Sequence, residues 1–366
     1  MIKIVHAASV RRTQAARSTF RLVLRLLPAY ADRARFTAVC PQWRAAARQL
    51  PLPPPLPLLA FPDGTFYSLP CGEPFRFPGF GRAGYRGVAY NGCFLVDPFT
   101  GATVTLPALS RIRLRPPNAA VKYAESVCSS NLVAAFFGST YMKGGGDSSQ
   151  ILVCQPGGSS WSVRANDQCK QFQDMAFYQG KLYALAYDEN LHIVNISQDP
   201  STGDPQVARV RQVIKGDPDP LLEAWWPDDT TGVKKLYLVE SGGTLLMVHR
   251  KICCRISDSM IVAGQNKFEV FKADIQHSRW VSVTTLGDDQ MLFLGRQCSR
   301  VVSASQYGMS SDQIFFLDDE MENATQCYFD EESTSVGVYN MRTGEVSSPL
   351  PLVWKHEVLL ATWLFP

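Results

Sequence analysis

YQGKLYALAYDENLHIVN, residues 178–195, decides how the chain folds. An apolar run from Leu182 to Tyr187 stops at the polar turn Asp188-Glu189-Asn190 and resumes at Leu191. Short apolar runs bounded by turn residues are the signature of paired strands. The same phrase recurs outward in both directions. In YNGCFLVDPFTGATVTLP, residues 90–107, Asp97-Pro98 opens the turn and Gly101 supplies the residue able to take positive φ. NMRTGEV at 340–346 echoes it, and residues 236–248 and 268–283 read as two further hairpins. Strands alternating with Gly, Asn and Asp turns, with no convincing long helix, exclude a parallel α/β fold. About 310 residues at roughly 40 to 50 per blade predict a β-propeller of six or seven blades, while a pair of sandwiches would show a linker. The C-terminal LLATWLFP, residues 359–366, is expected to complete a blade begun near the start of the β body, removing two open edges together.

With 366 residues and 46% hydrophobic content, the chain can bury a large core. No apolar run reaches the length of a membrane span, and the apolar stretch after Pro51 is broken by prolines, so it reads as a stiff linker. The net charge of +3 hides an asymmetry: residues 1–50 hold ten Lys or Arg against the single acid Asp32, leaving 26 basic and 32 acidic residues beyond. The basic N-terminus, with Arg11, Arg12, Arg17, Arg21 and Arg25 among Ser and Thr, fits either a solvated arm or an organelle presequence. A cytoplasmic or nuclear location is therefore expected, with mitochondrion or plastid as the alternative. No basic stripe with interleaved aromatics continues into the body, which argues against nucleic acid. Ten cysteines without a secretory signal favour a reduced compartment.

Residues that carry chemistry are sparse. Lys143-Gly144-Gly145-Gly146 lacks the downstream Lys-Ser/Thr of a phosphate loop, and Gly157-Gly158-Ser159 lacks the spacing of a nucleophile elbow. The five histidines are scattered and no C-x-x-C occurs, so neither a metal site, a cofactor nor catalysis is expected. Two features suggest a partner-binding surface. Asp217, Asp219, Asp228 and Asp229 flank Trp225-Trp226, which reads as a solvated loop around an apolar anchor or as exposed anchors for a partner. Acidic residues including Glu320 and Glu322 lie between strands expected at 313–317 and 336–340; they form an insertion loop or a surface for a basic segment. Trp225, Trp226, Glu320 and Glu322 are the candidate substrate-binding residues. Trp161, Trp280 and Trp363 are expected in the core, holding sheets together.

Ahead of the β body, LLPAYADRARFTAVCPQWRAAA at 26–47 is helical in pattern. Phe36, Val39, Cys40 and Trp43 recur at i, i+3, i+4 and i+7, with Asp32 placed to cap the first turn. Proline is tolerated at a first helical position, so one helix should end near Cys40 and another run from Pro41 to about Gln49. Phe20, Val23, Leu24 and Leu27 predict a short helix upstream. Helices this few are marginal alone and need a neighbour to pack on.

Leu27-Pro28, Asp32-Arg33, Arg35-Phe36, Val39-Cys40 and Trp43-Arg44-Ala45-Ala46 resemble the second half of an F-box, as it occurs in plant F-box proteins carrying a KIB-type β-propeller. The opening Leu-Pro pair and acidic first helix of that motif are absent here. The propeller side of the resemblance runs through LVESGG at 238–243, residues 268–274, Trp280 with Leu286-Gly287-Asp288, LFLG at 292–295 and VGVY at 336–339. The resemblance implies a small all-α F-box-like segment over residues 20–50 behind a basic arm at 1–19, a Pro-rich linker at 51–57, and a KIB-type propeller over 58–366. It implies a non-enzymatic substrate-recognition subunit of an SCF-type ubiquitin ligase, with a Skp-type adaptor and cullin as partners and an unidentified protein as substrate. Leu27, Pro28, Val39, Cys40 and Trp43 are the adaptor-binding candidates. The alternative is a propeller interaction module that does not assemble into a ligase.

Overall fold

The computed structural model describes residues 19–366 except 21, 25, 28, 50, 51, 53, 62, 63, 70–72, 77–92, 98, 109–119, 130, 141–147, 165–170, 217–229, 258, 259, 296, 297, 318–335 and 348–361. Five sheets of four or five strands follow one another along the chain. The first blade pairs β1 (Leu58–Ala60), β2 (Phe66–Ser68) and β3 (Glu73–Phe75) with the C-terminal strand. A two-stranded ladder, β4 (Cys93–Val96) and β5 (Thr103–Leu106), comes next. The second blade holds β6 (Ala120–Cys128), β7 (Val133–Thr140), β8 (Ser148–Cys154) and β9 (Ser162–Arg164). The third holds β10 (Phe172–Tyr178), β11 (Lys181–Ala186), β12 (Leu191–Gln198) and β13 (Pro205–Ile214). The fourth contains β14 (Thr230–Ser241), β15 (Thr244–Ser257), β16 (Met260–Asp274) and β17 (Arg279–Val283). The fifth contains β18 (Gln290–Leu294), β19 (Arg300–Ser303), β20 (Gln313–Leu317), β21 (Val336–Asn340) and β22 (Val346–Ser347), with β18 parallel to β20. Among the first strands β10 neighbours both β6 and β14, and β14 lies beside β19, so the blades are arranged as in a propeller.

Among the described residues the count is five blades and the two-stranded ladder β4–β5, not the six or seven blades expected from length. Dividing by a usual blade size overcounts because β14, β15 and β16 run to 12, 14 and 15 residues and the fifth blade spends an extra strand. Such long strands absorb chain that shorter ones would pass to another blade.

Burial explains why the strands read as apolar on both sides. Successive side chains of a strand point to opposite faces. On β14, Leu236 and Leu238 join a cluster with Leu185 and Ile193 of the third blade, while Tyr237 and Val239 join one with Leu292 and Ile314 of the fifth. The fourth blade is thus buried on two faces by its neighbours. Polar ties cross the same seams: Trp280 Nε1 donates to the Glu189 carbonyl (2.8 Å), and Arg250 Nη1 donates to the Leu317 carbonyl (2.8 Å). Trp161, Trp280 and Trp363 tie sheets together through indole N–H bonds to Pro107, Glu189 and Leu294, but only Trp363 lies in the core; Trp161 and Trp280 are half-buried.

One turn is used repeatedly. In DPFTG, DPSTG and NMRTG, the side chains of Asp97, Asp199 and Asn340 accept from the backbone N–H two residues on, at 2.9, 2.8 and 2.9 Å. Gly101, Gly203 and Gly344 then take φ of +73°, +74° and +74°, and their N–H groups bond back to the first residue's carbonyl. Glycine reaches this left-handed region without the Cβ penalty.

The C-terminal strand, β23 (Thr362–Leu364), pairs antiparallel with β1 and completes the first blade as expected. Leu56 and Pro57, at the end of the Pro-rich stretch, are already buried, and Leu56 belongs to the core shared by the first and fifth blades.

The helices pack beside the first blade. Residues 19–24 are helical at every described position, followed by α1 (Tyr30–Val39) and α2 (Pro41–Arg48). Pro41 stands in the first turn of α2, where its missing N–H costs nothing. Asp32 is not the cap: α1 starts two residues earlier behind Ala29, with no side-chain cap bond, and Asp32 pairs with Arg35 at 3.2 Å. It remains in the first turn, where a carboxylate suits the helix dipole. Tyr30 stacks on Phe75 with ring centroids 6.0 Å apart, and the Ala31 N–H donates to Ser68 Oγ at 3.3 Å.

Candidate functional site

An aromatic trio holds the helical segment together. Phe36 lies 4.3 Å from Trp43 and 6.3 Å from Phe20 between ring centroids, and Phe20 lies 5.2 Å from Trp43. Phe36 is buried, and Leu24 is closed off from solvent as well. Two arginines fix the chain path: Arg33 Nε donates to the Leu27 carbonyl (2.7 Å), and Arg44 Nε reaches back from α2 to the Thr37 carbonyl (3.2 Å). These carbonyls end helical turns and lack partners within their own helices.

With Phe20, Leu24 and Phe36 turned inward, other apolar residues are left outside. Leu22, Leu26 and Val39 are 63%, 78% and 61% exposed, and Val23 is 37% exposed. Leu22 and Leu26 stand one helical turn apart in sequence, and the Leu26 N–H bonds the Val23 carbonyl at 3.0 Å. Exposed apolar side chains one turn apart, as Leu22 and Leu26 are, suit an interaction surface. Of the candidates read from sequence, Val39 belongs with this exposed set. Trp43, Leu27 and Cys40 are half-buried, and Pro28 lies outside the described residues. Sequence reading missed Leu22 and Leu26. The available signal was the inward spacing of Phe20, Leu24 and Leu27, which leaves Leu22, Val23 and Leu26 on the other sides of the turn.

The propeller candidates Trp225, Trp226, Glu320 and Glu322 all lie outside the described residues. Among the described residues no cluster of His, Cys, Asp or Glu is arranged to hold a metal ion. A groove opens on the fourth blade, where the β14–β15 turn meets the segment leading into β18, and the buried side chains of Leu246 and Leu286 contribute to its lining.

Several titratable groups meet between the third and fourth blades. Asp174 on β10 accepts the Leu238 N–H at 2.7 Å, and its carboxyl is pushed up to about 7 by burial, against the pull of the Leu238 and Met175 N–H groups and of Lys235. Glu189, in the β11–β12 turn, pairs with Lys234. His249 is 3% exposed; burial, with Lys234 and Lys251 nearby, lowers its imidazole to about 3. The two groups give opposite pH dependences. Folded Asp174 holds a proton that the unfolded chain loses above its ordinary value of 3.8, so its contribution is present at low pH and lost as pH rises towards 7. Folded His249 stays neutral where the unfolded ring, at 6.5, takes up a proton, so its contribution is present above 6.5 and lost as pH falls towards 3. Between those limits the slopes oppose. Asp174→Asn should unmask the histidine, so that the thermal midpoint climbs from pH 4 to 6.5; His249→Gln should unmask the carboxyl, so that it falls over the same range. Thermal melts at closely spaced pH values check both signs.

Comparison with known proteins adds the context. The sequence profile of the KIB1-4 beta-propeller matches residues 61–340. F-box only protein 7 of Arabidopsis thaliana is 22% identical over 59% of this chain and 48% of its own length. F-box protein At2g26160 of the same plant is 25% identical over 47% of this chain and 48% of its own. The chain spans about half the length of the curated relatives it matches. A solved exo-1,5-alpha-L-arabinanase from a bovine ruminal metagenomic library is 10% identical over 64% of this chain and 79% of that one, with a TM-score of 0.29, too low a likeness to argue from.

Proposed function

Because the chain belongs to the KIB1-4 beta-propeller family, we propose that it is the substrate-recognition subunit of an SCF-type ubiquitin ligase, working without catalysis of its own. The helical segment at 20–50 docks a Skp-type adaptor, which leads to a cullin, and the propeller at 58–366 holds a protein substrate. The observation that carries this reading is the exposed apolar set Leu22, Leu26 and Val39 beside a helical core already closed by Phe20, Phe36 and Trp43. These side chains add nothing to the interior, and an adaptor helix laid over them would remove them from water. The F-box names of the matched relatives support the same role. The reading places the protein in the cytoplasm or nucleus.

The double variant Leu22→Asp, Leu26→Asp tests the proposal. Both residues are exposed, so stability should stay within about 0.5 kcal/mol of the parent, while adaptor recovered in a pull-down of the full chain should fall about tenfold. Recovery equal to the parent's, or no adaptor with the parent itself, rejects the role. A second reading, a propeller interaction module without ligase assembly, is favoured by the missing Leu-Pro opening and the arginines at 17, 21 and 25 where the motif is acidic. No adaptor with the parent, together with import and cleavage of the N-terminus, supports that reading.

A further inference from the structure

The groove on the fourth blade has a volume of about 440 Å³ and an unusual balance of groups. Thr244, Ser282, Thr284 and Thr285 bring hydroxyls to it, Gln290 an amide and Lys272 an ammonium. No carboxylate is among its described lining residues, although the chain beyond residue 50 carries more acids than bases. Among the described residues no side-chain hydrogen bond engages Thr244, Ser282, Thr284 or Thr285. Lys272 is exposed and makes no ion pair among the described residues. Ser241 Oγ donates to Gln290 Oε1 at 2.9 Å, which orients the amide so that its NH₂ remains free to donate. A concave surface with one cation, several free donors and no acid is complementary to an oxyanion.

We propose that this groove grips an acidic segment of the protein substrate, bearing carboxylates or phosphates, with Lys272 as the central charge. The proposal rests on the substrate-receptor reading and gives that substrate a chemical class. The full chain is titrated by fluorescence anisotropy with three labelled peptides of equal length, one rich in Glu, one with phosphoserine at the same positions and one with Gln there. At least one acidic peptide should bind about tenfold more tightly than the Gln peptide, and Lys272→Glu should remove that preference. Lys267→Glu, which changes an exposed lysine outside the groove, should retain it. Preference for phosphoserine alone assigns the site to phosphate; equal binding of both assigns it to carboxylate. Equal affinity for the Gln peptide, or an acidic preference that survives Lys272→Glu, overturns the proposal. The adaptor pull-down is read separately. Adaptor capture without acidic preference defeats the groove alone, and acidic preference without adaptor capture defeats the ligase role alone.

Discussion

Trp363→Ala should destabilise the chain by about 3–5 kcal/mol, the largest loss expected of any single truncation here. The indole is 1% exposed, pairs across from Leu59 and meets Phe293 edge-on with centroids 5.0 Å apart. Its Nε1 donates to the Leu294 carbonyl at 2.8 Å, and a Cβ on Gly295 would stand 2.9 Å from its ring. Removing it empties a site in the core shared by the first and fifth blades and leaves a buried carbonyl without its donor. Against a total folding margin of about 5–15 kcal/mol, that loss is a large fraction of the whole stability. Trp363→Phe keeps most of the packing and should cost about 1–2 kcal/mol, mainly the hydrogen bond. Urea unfolding of both variants separates the terms; an alanine variant within about 1 kcal/mol of the parent would refute the seam's role.

Gly337→Ala should be nearly as damaging, because one methyl group has nowhere to go. Gly337 pairs directly with Phe316, and a Cβ there would fall 2.1 Å from that ring's Cζ. The ring cannot swing aside: it packs 4.9 Å from Phe268, and the Arg250 guanidinium lies over it at 4.5 Å. Arg250 is fully buried, held by Asn266 Oδ1 at 2.8 Å and the Leu317 carbonyl at 2.8 Å. Overpacking costs about 1–3 kcal/mol by itself, and displacing a buried guanidinium from its acceptors adds to it. Gly101→Ala is the contrast, since only its backbone angle objects and nothing lies within 4 Å. It should cost about 1 kcal/mol. A thermal midpoint for Gly337→Ala above that of Gly101→Ala would count against the wedge.

What the sequence displayed was what is local. The break at Pro41, the strands at 313–317 and 336–340 and the turn at Gly101 all follow from residues within a few positions of each other, and all are found. Closure by β23 was also visible, because an unpaired apolar segment at each end of a β body has one economical partner. What depends on distant packing was not visible. A short helix with apolar residues on more than one side, such as that at 19–24, does not say which side faces a neighbour, so exposed Leu22 and Leu26 are not told apart by sequence from the half-buried Trp43. Blade number depends on strand length, and the 14- and 15-residue strands of the fourth blade are set by register with each other rather than by composition. The groove escaped because its lining comes from four separate stretches of chain.

The ladder between Leu59 and Trp363 also fixes an order of events during synthesis. On the ribosome, Leu58 and Leu59 emerge about 300 residues before Trp363, whose strand pairs with theirs. Joining segments so far apart is entropically slow, and high contact order delays folding. A blade that begins with β1 is therefore finished only when β23 arrives, and until then its half-made edge is an unpaired strand for chaperones to guard.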